Sequence, residues 1–202
     1  MSDQQPLVDD LHLRETFTGT REVLSGGWLE LRRDTVKLPD GHTATREYIR
    51  HPGAVAVLPL LDDGRVVLVR QYRYPVAKVL LELPAGKRDA GESLLGCAAR
   101  ELMEETGYTA REWAFAAEIH NASAYSDESI WIYFARGLAP GPQRLDEGEF
   151  VEVVAHSEAE LDALHAQGAL PDVKTAIGLL LLQRWRAGAR TLDWHAAETI
   201  TS

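Results

Sequence analysis

The sequence predicts an α+β protein in which helices cover a sheet as an α/β/α sandwich. Three observations point there. Strand-like runs separated by turn residues occupy positions 11 to about 83. A single amphipathic helix follows over 93–106, and more strand-like runs come after it. Two helical stretches then close the chain, and an order that mixes strands and helices in this way favours layers packed around one core.

The elements follow in chain order. Residues 1–10 read as a loose tail. Strands are expected over 13–20, 28–38 and 42–49, with Gly26-Gly27 and Pro39-Asp40-Gly41 supplying the turns. Residues 54–61 are almost wholly apolar, as in a strand buried on both faces. Asp62-Asp63-Gly64 signals a hairpin into a partner strand over 65–72. A short strand over 79–83 stops at Pro84-Ala85-Gly86. In the helix, Leu94, Leu95, Ala98, Ala99, Leu102 and Met103 recur at helical spacing, Ser93 fits the N-cap and Gly107 the residue past the end. Strands are expected over 112–118, 129–135 and 150–155, with Pro140-Gly141-Pro142 in a loop before the last. Helices over 158–167 and 173–187 finish the fold. The second carries Ile177 and the run 179–182, so it should pack on the sheet.

Composition narrows the function. The 202 residues suffice for one domain with a real core. No apolar run approaches the roughly 18 residues of a membrane helix, and the acidic, polar N-terminus lacks the pattern of a signal peptide, so a cytoplasmic location is expected. The single cysteine, Cys97, permits no intramolecular disulfide and reads as a packing residue. A net charge of −10 argues against a nucleic-acid partner. It also means that an anionic substrate needs a cation between it and the protein.

That cation has an expected address. Glu101, Glu104 and Glu105 lie at i, i+3 and i+4, which puts three carboxylates on one helix face, opposite the apolar stripe. Taken alone, such a run is a solvated acidic face. Here it follows a loop, 86–92, rich in glycine and charge. Tight backbone there lets a main-chain carbonyl, such as that of Ala85, face the helix. Carboxylates with a carbonyl make a hard oxygen site suited to Mg²⁺ or Mn²⁺.

The spacing carries a sharper signal. Gly86, five residues, Glu92, seven residues, then Arg100-Glu101-Leu102-Met103-Glu104-Glu105-Thr106-Gly107-Tyr108 resembles the Nudix box, GX5EX7REUXEEXGU, with every fixed position filled. Tyr108 in the last apolar place is a mild variation. The resemblance implies an α/β/α sandwich around a mixed sheet and metal-dependent hydrolysis of a nucleoside diphosphate linked to another group. It implies Glu101 and Glu105 as principal metal ligands beside the Ala85 carbonyl. Glu104 is then a further ligand or a group behind the ligands, Arg100 orients the carboxylates by ion pairing, and Glu92 braces the loop or holds a metal through water.

Outside the box, HPGAVAVLPL, VLVRQYRYPV and LELPAGK resemble the ADP-ribose pyrophosphatase branch of that family. The branch implies a homodimer formed through residues 1–50, with 51–202 as the hydrolase domain. It places Trp28 in the segment that stacks on adenine, although core or dimer packing explains a tryptophan there equally well. Arg70 and Glu82 fall in segments that touch the substrate. The run 145–150, LDEGEF, resembles the branch's catalytic loop, with Glu147 as general base, Asp146 as its rival and Glu149 as a further metal ligand. In the segment Ala122-Ser123-Ala124-Tyr125-Ser126-Asp127-Glu128, Ser123 stands where the branch has proline, while the YSDE half keeps Glu128 as a contact to the terminal ribose. Tyr125 is also a loose mark of dinucleoside polyphosphate hydrolases. The expected substrate is therefore ADP-ribose or a related nucleotide sugar. The alternatives are a dinucleoside polyphosphate, or a domain that senses ADP-ribose or NAD without hydrolysing it.

Overall fold

A computed structural model describes residues 29–37 and 41–197. The expected strand over 13–20, Trp28 and Leu38 lie outside those residues. The first described elements are β1 (Glu30–Lys37) and β2 (Thr43–Arg50), an antiparallel pair that forms a sheet of its own. Most of its side chains are exposed, including Leu31 at 75%. The pair is tied to the body by its last residues. Ile49 bridges Ser126 in parallel, its N–H donates to the Tyr125 carbonyl (2.8 Å), and the Asp127 carboxylate accepts from the His51 N–H (2.8 Å) and pairs with Arg50.

The central strand is β3 (Ala54–Leu60). It turns at Gly64, whose φ of 87° suits glycine, into β4 (Val66–Arg73). A single 3₁₀ turn over Tyr74–Val76 leads to β5 (Lys78–Glu82), and β6 (Ala85–Lys87) follows directly. The helix α1 (Leu94–Thr106) is capped as the sequence predicts: the Ser93 hydroxyl accepts from the Gly96 N–H, and Gly107 closes it with φ 74°. Then come β7 (Tyr108–Ile119), β8 (Ile130–Pro140), β9 (Val151–His156), α2 (Glu158–Ala166), α3 (Val173–Arg186) and the two-residue β10 (His195–Ala196).

The sheet is mixed, as expected. β3 runs parallel to β8 along one edge; its other edge pairs antiparallel with β6 near the start and meets β4 at its end. β4 in turn pairs with β5 and β9. Alternation along β3 divides the core. Val55 and Val57 meet Cys97, Ala98 and Leu102 of α1, whereas Ala56 and Leu58 meet Leu161 of α2 and Leu179 and Leu182 of α3. This is the two-sided burial that the apolar run predicted. Cys97 is wholly buried, and burial pushes its thiol up to about 12, so it packs rather than reacts.

Three sequence expectations need correction. β7 and β8 are longer than predicted and carry a bulge between Phe115 and Ala117. β6 and β10, too short to show a period, were not predicted. The acidic and apolar faces of α1 are not opposite each other: Ala99 is exposed, while Glu101 and Glu105 are buried beside Leu102. The sheet is wide enough to cover part of the acidic face as well.

Candidate active site

The site is built where α1 crosses β6. Gly86 lies against Glu101 so closely that a Cβ there would sit 2.0 Å from the carboxyl carbon. Pairing of Ala85 and Gly86 with Ala56 and Val55 fixes this backbone. The Ala85 N–H donates to Glu105 Oε2 (3.0 Å), so the loop grips the second carboxylate as well.

Arg100 organises the other side. Its Nε and Nη2 donate to the two oxygens of Glu92 (2.9 and 3.0 Å), its Nη1 to Glu101 (2.7 Å) and Glu104 (3.0 Å), and its Nη2 also to the Lys87 carbonyl (3.0 Å). One guanidinium thus ties the glycine loop to two helix carboxylates. Glu92 also accepts from the Asp89 N–H (3.1 Å), and Arg100 holds its carboxyl down at about 2.

Glu101 and Glu105 are strained electrostatically in the opposite direction. They are 9% and 3% exposed. Desolvation raises Glu101 to about 7 against the pull of Arg100, and raises Glu105 to about 8 with the charge of Glu149 adding to it. Arg73 opposes that rise at Glu105 without cancelling it. A site of this kind calls for more positive charge than the protein supplies.

The acidic loop is fastened over the end of α1. Gly107 and Gly141 approach so closely that a Cβ on Gly107 would meet the Gly141 oxygen at 2.4 Å. The Arg144 N–H donates to the Glu104 carbonyl (2.9 Å), and the Gln143 amide to the Glu105 carbonyl (2.6 Å). Asp146 and Glu147 are exposed at a turn that Gly148 completes with φ 83° and an Asp146 carbonyl–Glu149 N–H bond of 3.1 Å. Glu149 is half-buried and accepts from Gln71 Nε2 (3.2 Å).

The structure therefore gathers Ala85, Glu101, Glu104, Glu105 and Arg100 at one place, with Glu149 coupled to them electrostatically. Two expected substrate contacts are turned to protein partners instead. Arg70 pairs with Glu152, directly opposite on β9. Glu82 is 1% exposed and is held by Arg73 through two bonds of 2.8 Å and by Lys174 of α3. Glu128 stands 3.6 Å from His51 Nε2, in the link between β2 and β3. Trp28 lies outside the described residues. Sequence reasoning passed over Arg73, Gln71 and Gln143. For Gln71 and Arg73 the only signal was parity: with Val66 and Leu68 facing the α2–α3 core, alternation sends both to the α1 side of β4, whereas Gln143, in a loop, gave none.

Among the described residues, no three His, Cys, Asp or Glu side chains converge into a ready-made metal group. Glu101 turns to Arg100 and Glu105 to the Ala85 N–H. The donor chemistry still fits a hard divalent cation: carboxylates, buried and short of positive charge, beside a glycine cradle.

Comparison with known proteins decides the family. The description of the NUDIX domain matches residues 50–177, well over half of the chain. The chain belongs to the Nudix hydrolase family. A second description, the nucleoside diphosphate sugar hydrolase N-terminal domain, matches residues 15–49 of this Nudix protein. An ADP-ribose pyrophosphatase of Bacillus subtilis is 36% identical over 173 residues, covering 85% of this chain and 94% of that one. One from Mycobacterium tuberculosis is 44% identical over 115 residues, 56% of each chain. A methanol dehydrogenase activator of Bacillus methanolicus is 38% identical over 166 residues, covering 81% and 90%. A crystal structure of an ADP compounds hydrolase superposes with a TM-score of 0.74 at 25% identity, covering 86% of this chain and 95% of the other. Nudix hydrolases generally use divalent metals.

A pH prediction follows from the buried pair. Glu101 and Glu105 have folded-state pKa values above the ordinary carboxyl value of 4.5. Between about 4.5 and 8 the folded state therefore binds more protons than the unfolded one, and stability falls as pH rises. In EDTA the melting temperature should drop by roughly 5 °C or more between pH 5 and 8. Saturating Mg²⁺ should remove most of that slope. A flat profile in EDTA, measured by calorimetry, counts against the strained pair.

Proposed function

We propose that this Nudix hydrolase cleaves the pyrophosphate bond of ADP-ribose, giving AMP and ribose 5-phosphate, or of a related nucleotide sugar. The observation that carries this reading is the buried pair Glu101–Glu105 clasped by Gly86, Ala85 and Arg100. The ADP-ribose pyrophosphatases among its relatives support the substrate. Glu101, Glu105, the Ala85 carbonyl and Glu149 would hold the metal, Mg²⁺ with Mn²⁺ as a substitute, with Glu104 a further ligand or a group behind the ligands. Once bound, the cation polarises the phosphoryl oxygens and neutralises the leaving phosphate.

The chain's own residues do the rest. Arg100 keeps Glu101 and Glu104 aimed and Glu92 locked to the loop. Glu147 takes the proton from the attacking water, with Asp146 as the rival base, because the turn presents both to solvent above the end of α1. The water oxygen joins one phosphorus as the bond to the bridging oxygen breaks. Glu128 contacts the terminal ribose, and Trp28, outside the described residues, either stacks on the adenine or packs in the core or the dimer. Glu82 acts through Arg73 rather than by touching the substrate, and Arg70 acts from its pair with Glu152.

Residues 1–50 form a homodimer interface, and 51–202 form the hydrolase domain. The exposed β1–β2 pair supports this, because an isolated two-stranded hairpin is marginal in water and gains stability when covered. The working compartment is the cytoplasm. Among the described residues no helix is long and apolar enough to cross a membrane.

The test is a screen of purified protein with Mg²⁺ against ADP-ribose, GDP-mannose, other nucleotide sugars, NADH and a diadenosine polyphosphate, with phosphatase-coupled detection. ADP-ribose turnover that EDTA abolishes is expected; tight binding without turnover supports a sensing domain instead. In the same assay Glu147→Gln should lower kcat roughly 10²–10⁴-fold, the range of a lost general base. Asp146→Asn should lower it far less. The reverse order would assign the base to Asp146.

A further inference from the structure

The backbone that cradles the site is anchored from the opposite face of the sheet. Strand β6 has only three residues and pairs with β3 alone, so its placement depends on how its entry is held. That entry is Leu83-Pro84. The Pro84 carbonyl accepts from the Val57 N–H (2.9 Å). The β4–β5 register ends at Glu82, and the Leu83 N–H donates instead to Thr175 Oγ1 of α3 (2.8 Å). Two residues on, the Ala85 N–H donates to Glu105 Oε2 (3.0 Å), and Gly86 lies against the Glu101 carboxylate. Alternation lets this short segment meet both layers: Leu83 packs in the core with α3, while Gly86 is turned to α1.

Thr175 is wholly buried, and its one hydroxyl proton is committed. An ionised carboxylate only accepts, so Oγ1 donates to Asp172 Oδ2 (2.6 Å) and keeps its lone pairs for the Leu83 N–H. Asp172 is fixed in turn as the N-cap of α3, accepting from the Thr175 N–H (3.0 Å). Beside it, Lys174 pairs with the buried Glu82 and donates to Asp172 Oδ1 (3.1 Å). Gly178 comes so near that a Cβ there would lie 2.6 Å from Leu83 Cδ1. Glycine is unfavourable inside a helix, and here it permits that approach. The start of α3 thus grips Glu82 and Leu83 at three points.

We infer that Thr175 is a positioning residue of the cation site, setting through its bond to Leu83 the backbone of Ala85 and Gly86 that grips Glu105 and Glu101. The inference rests on the metal reading given above and deepens it. α3 supplies no group to the site itself. It places the cradle from behind, through two residues of backbone.

The experiment measures Mn²⁺ affinity by electron paramagnetic resonance, without substrate and well below the melting temperature, for the unsubstituted protein, Thr175→Val, Thr175→Ser and Gly178→Ala. Valine keeps the shape and removes the hydroxyl. It should weaken Mn²⁺ binding roughly tenfold, as loss of a group behind the ligands does. Serine keeps the hydroxyl and should bind Mn²⁺ within about twofold of the unsubstituted protein, although it melts lower for want of a methyl group. Gly178→Ala improves helix propensity and pushes on Leu83, so it should stay folded and bind Mn²⁺ several-fold more weakly. A merely structural threonine would lower the melting temperature of Thr175→Val and leave the Mn²⁺ affinity of the folded protein unchanged. That result overturns the inference and leaves the metal reading intact. Equal weakening in Thr175→Ser and Thr175→Val also overturns it, because the hydroxyl would then not matter. Should Thr175→Val not fold, unchanged affinity in Gly178→Ala overturns it instead. No Mn²⁺ binding by the unsubstituted protein overturns the metal reading and the inference together.

Discussion

Glu105→Gln will make the metal-free protein more stable while removing its activity. The two effects have one cause. Glu105 is buried, and its carboxyl is raised to about 8 by desolvation and the charge of Glu149. Glutamine keeps an oxygen to accept from the Ala85 N–H, as Glu105 does at 3.0 Å, and discards the charge. In EDTA near pH 8 the variant should melt higher and lose most of the pH slope. Activity should fall roughly 10³-fold on the metal role proposed for Glu105, since losing a ligand there would remove several kcal/mol of transition-state stabilisation. Calorimetry in EDTA and turnover in Mg²⁺, measured on one preparation, separate the two effects. If both stability and activity fall, Glu105 is a structural brace. If neither changes, the site lies elsewhere.

Gly86→Ala should be nearly as damaging, for a steric reason. The new Cβ would lie 2.0 Å from the Glu101 carboxyl carbon and 2.0–2.2 Å from its oxygens. Something must move. The strand backbone is held by pairing with Val55, so the carboxylate is what yields. A displacement of about 1 Å at a reacting centre costs on the order of 10² in rate, and Mn²⁺ affinity should fall with it. The fold should survive, because Glu101 leaves a polar margin rather than the apolar core. Gly91→Ala is the control. Gly91 also belongs to the loop, but a Cβ there meets nothing within 4 Å, so only its positive φ of 80° is strained. Gly91→Ala should cost stability and little metal affinity. Equal loss of Mn²⁺ affinity in both variants would mean that loop conformation, not the clash with Glu101, is what matters.

Much of this molecule was legible before any coordinates. The apolar run at 54–61, the Asp-Asp-Gly turn, the Ser93 cap and the Gly107 stop all appear where local chemistry dictates. Each depends on residues near one another in sequence, so short-range rules suffice. The spacing of Gly86, Glu92, Arg100, Glu101, Glu104 and Glu105 was sufficient to name the family, because loop and helix hold those positions by local geometry.

What only the tertiary structure decided is which charges the protein keeps for itself. On the helix alone, Glu101, Glu104 and Glu105 look equivalent; the sheet beneath α1 buries the first and third and leaves the second nearer the rim. Arg70 and Glu82 lie in segments expected at the substrate, but β9 and α3 bring Glu152 and Lys174 to them from 82 and 92 residues away in sequence. Gln71 gives no signal until β4 is placed against α1 and the loop at Glu149. Ion pairing and burial are settled by distance in space, and a side chain's partners across a sheet are fixed by strand register and layer packing. Sequence spacing determined the chemistry available at this site; the packing of remote elements determined which side chains were left to perform it.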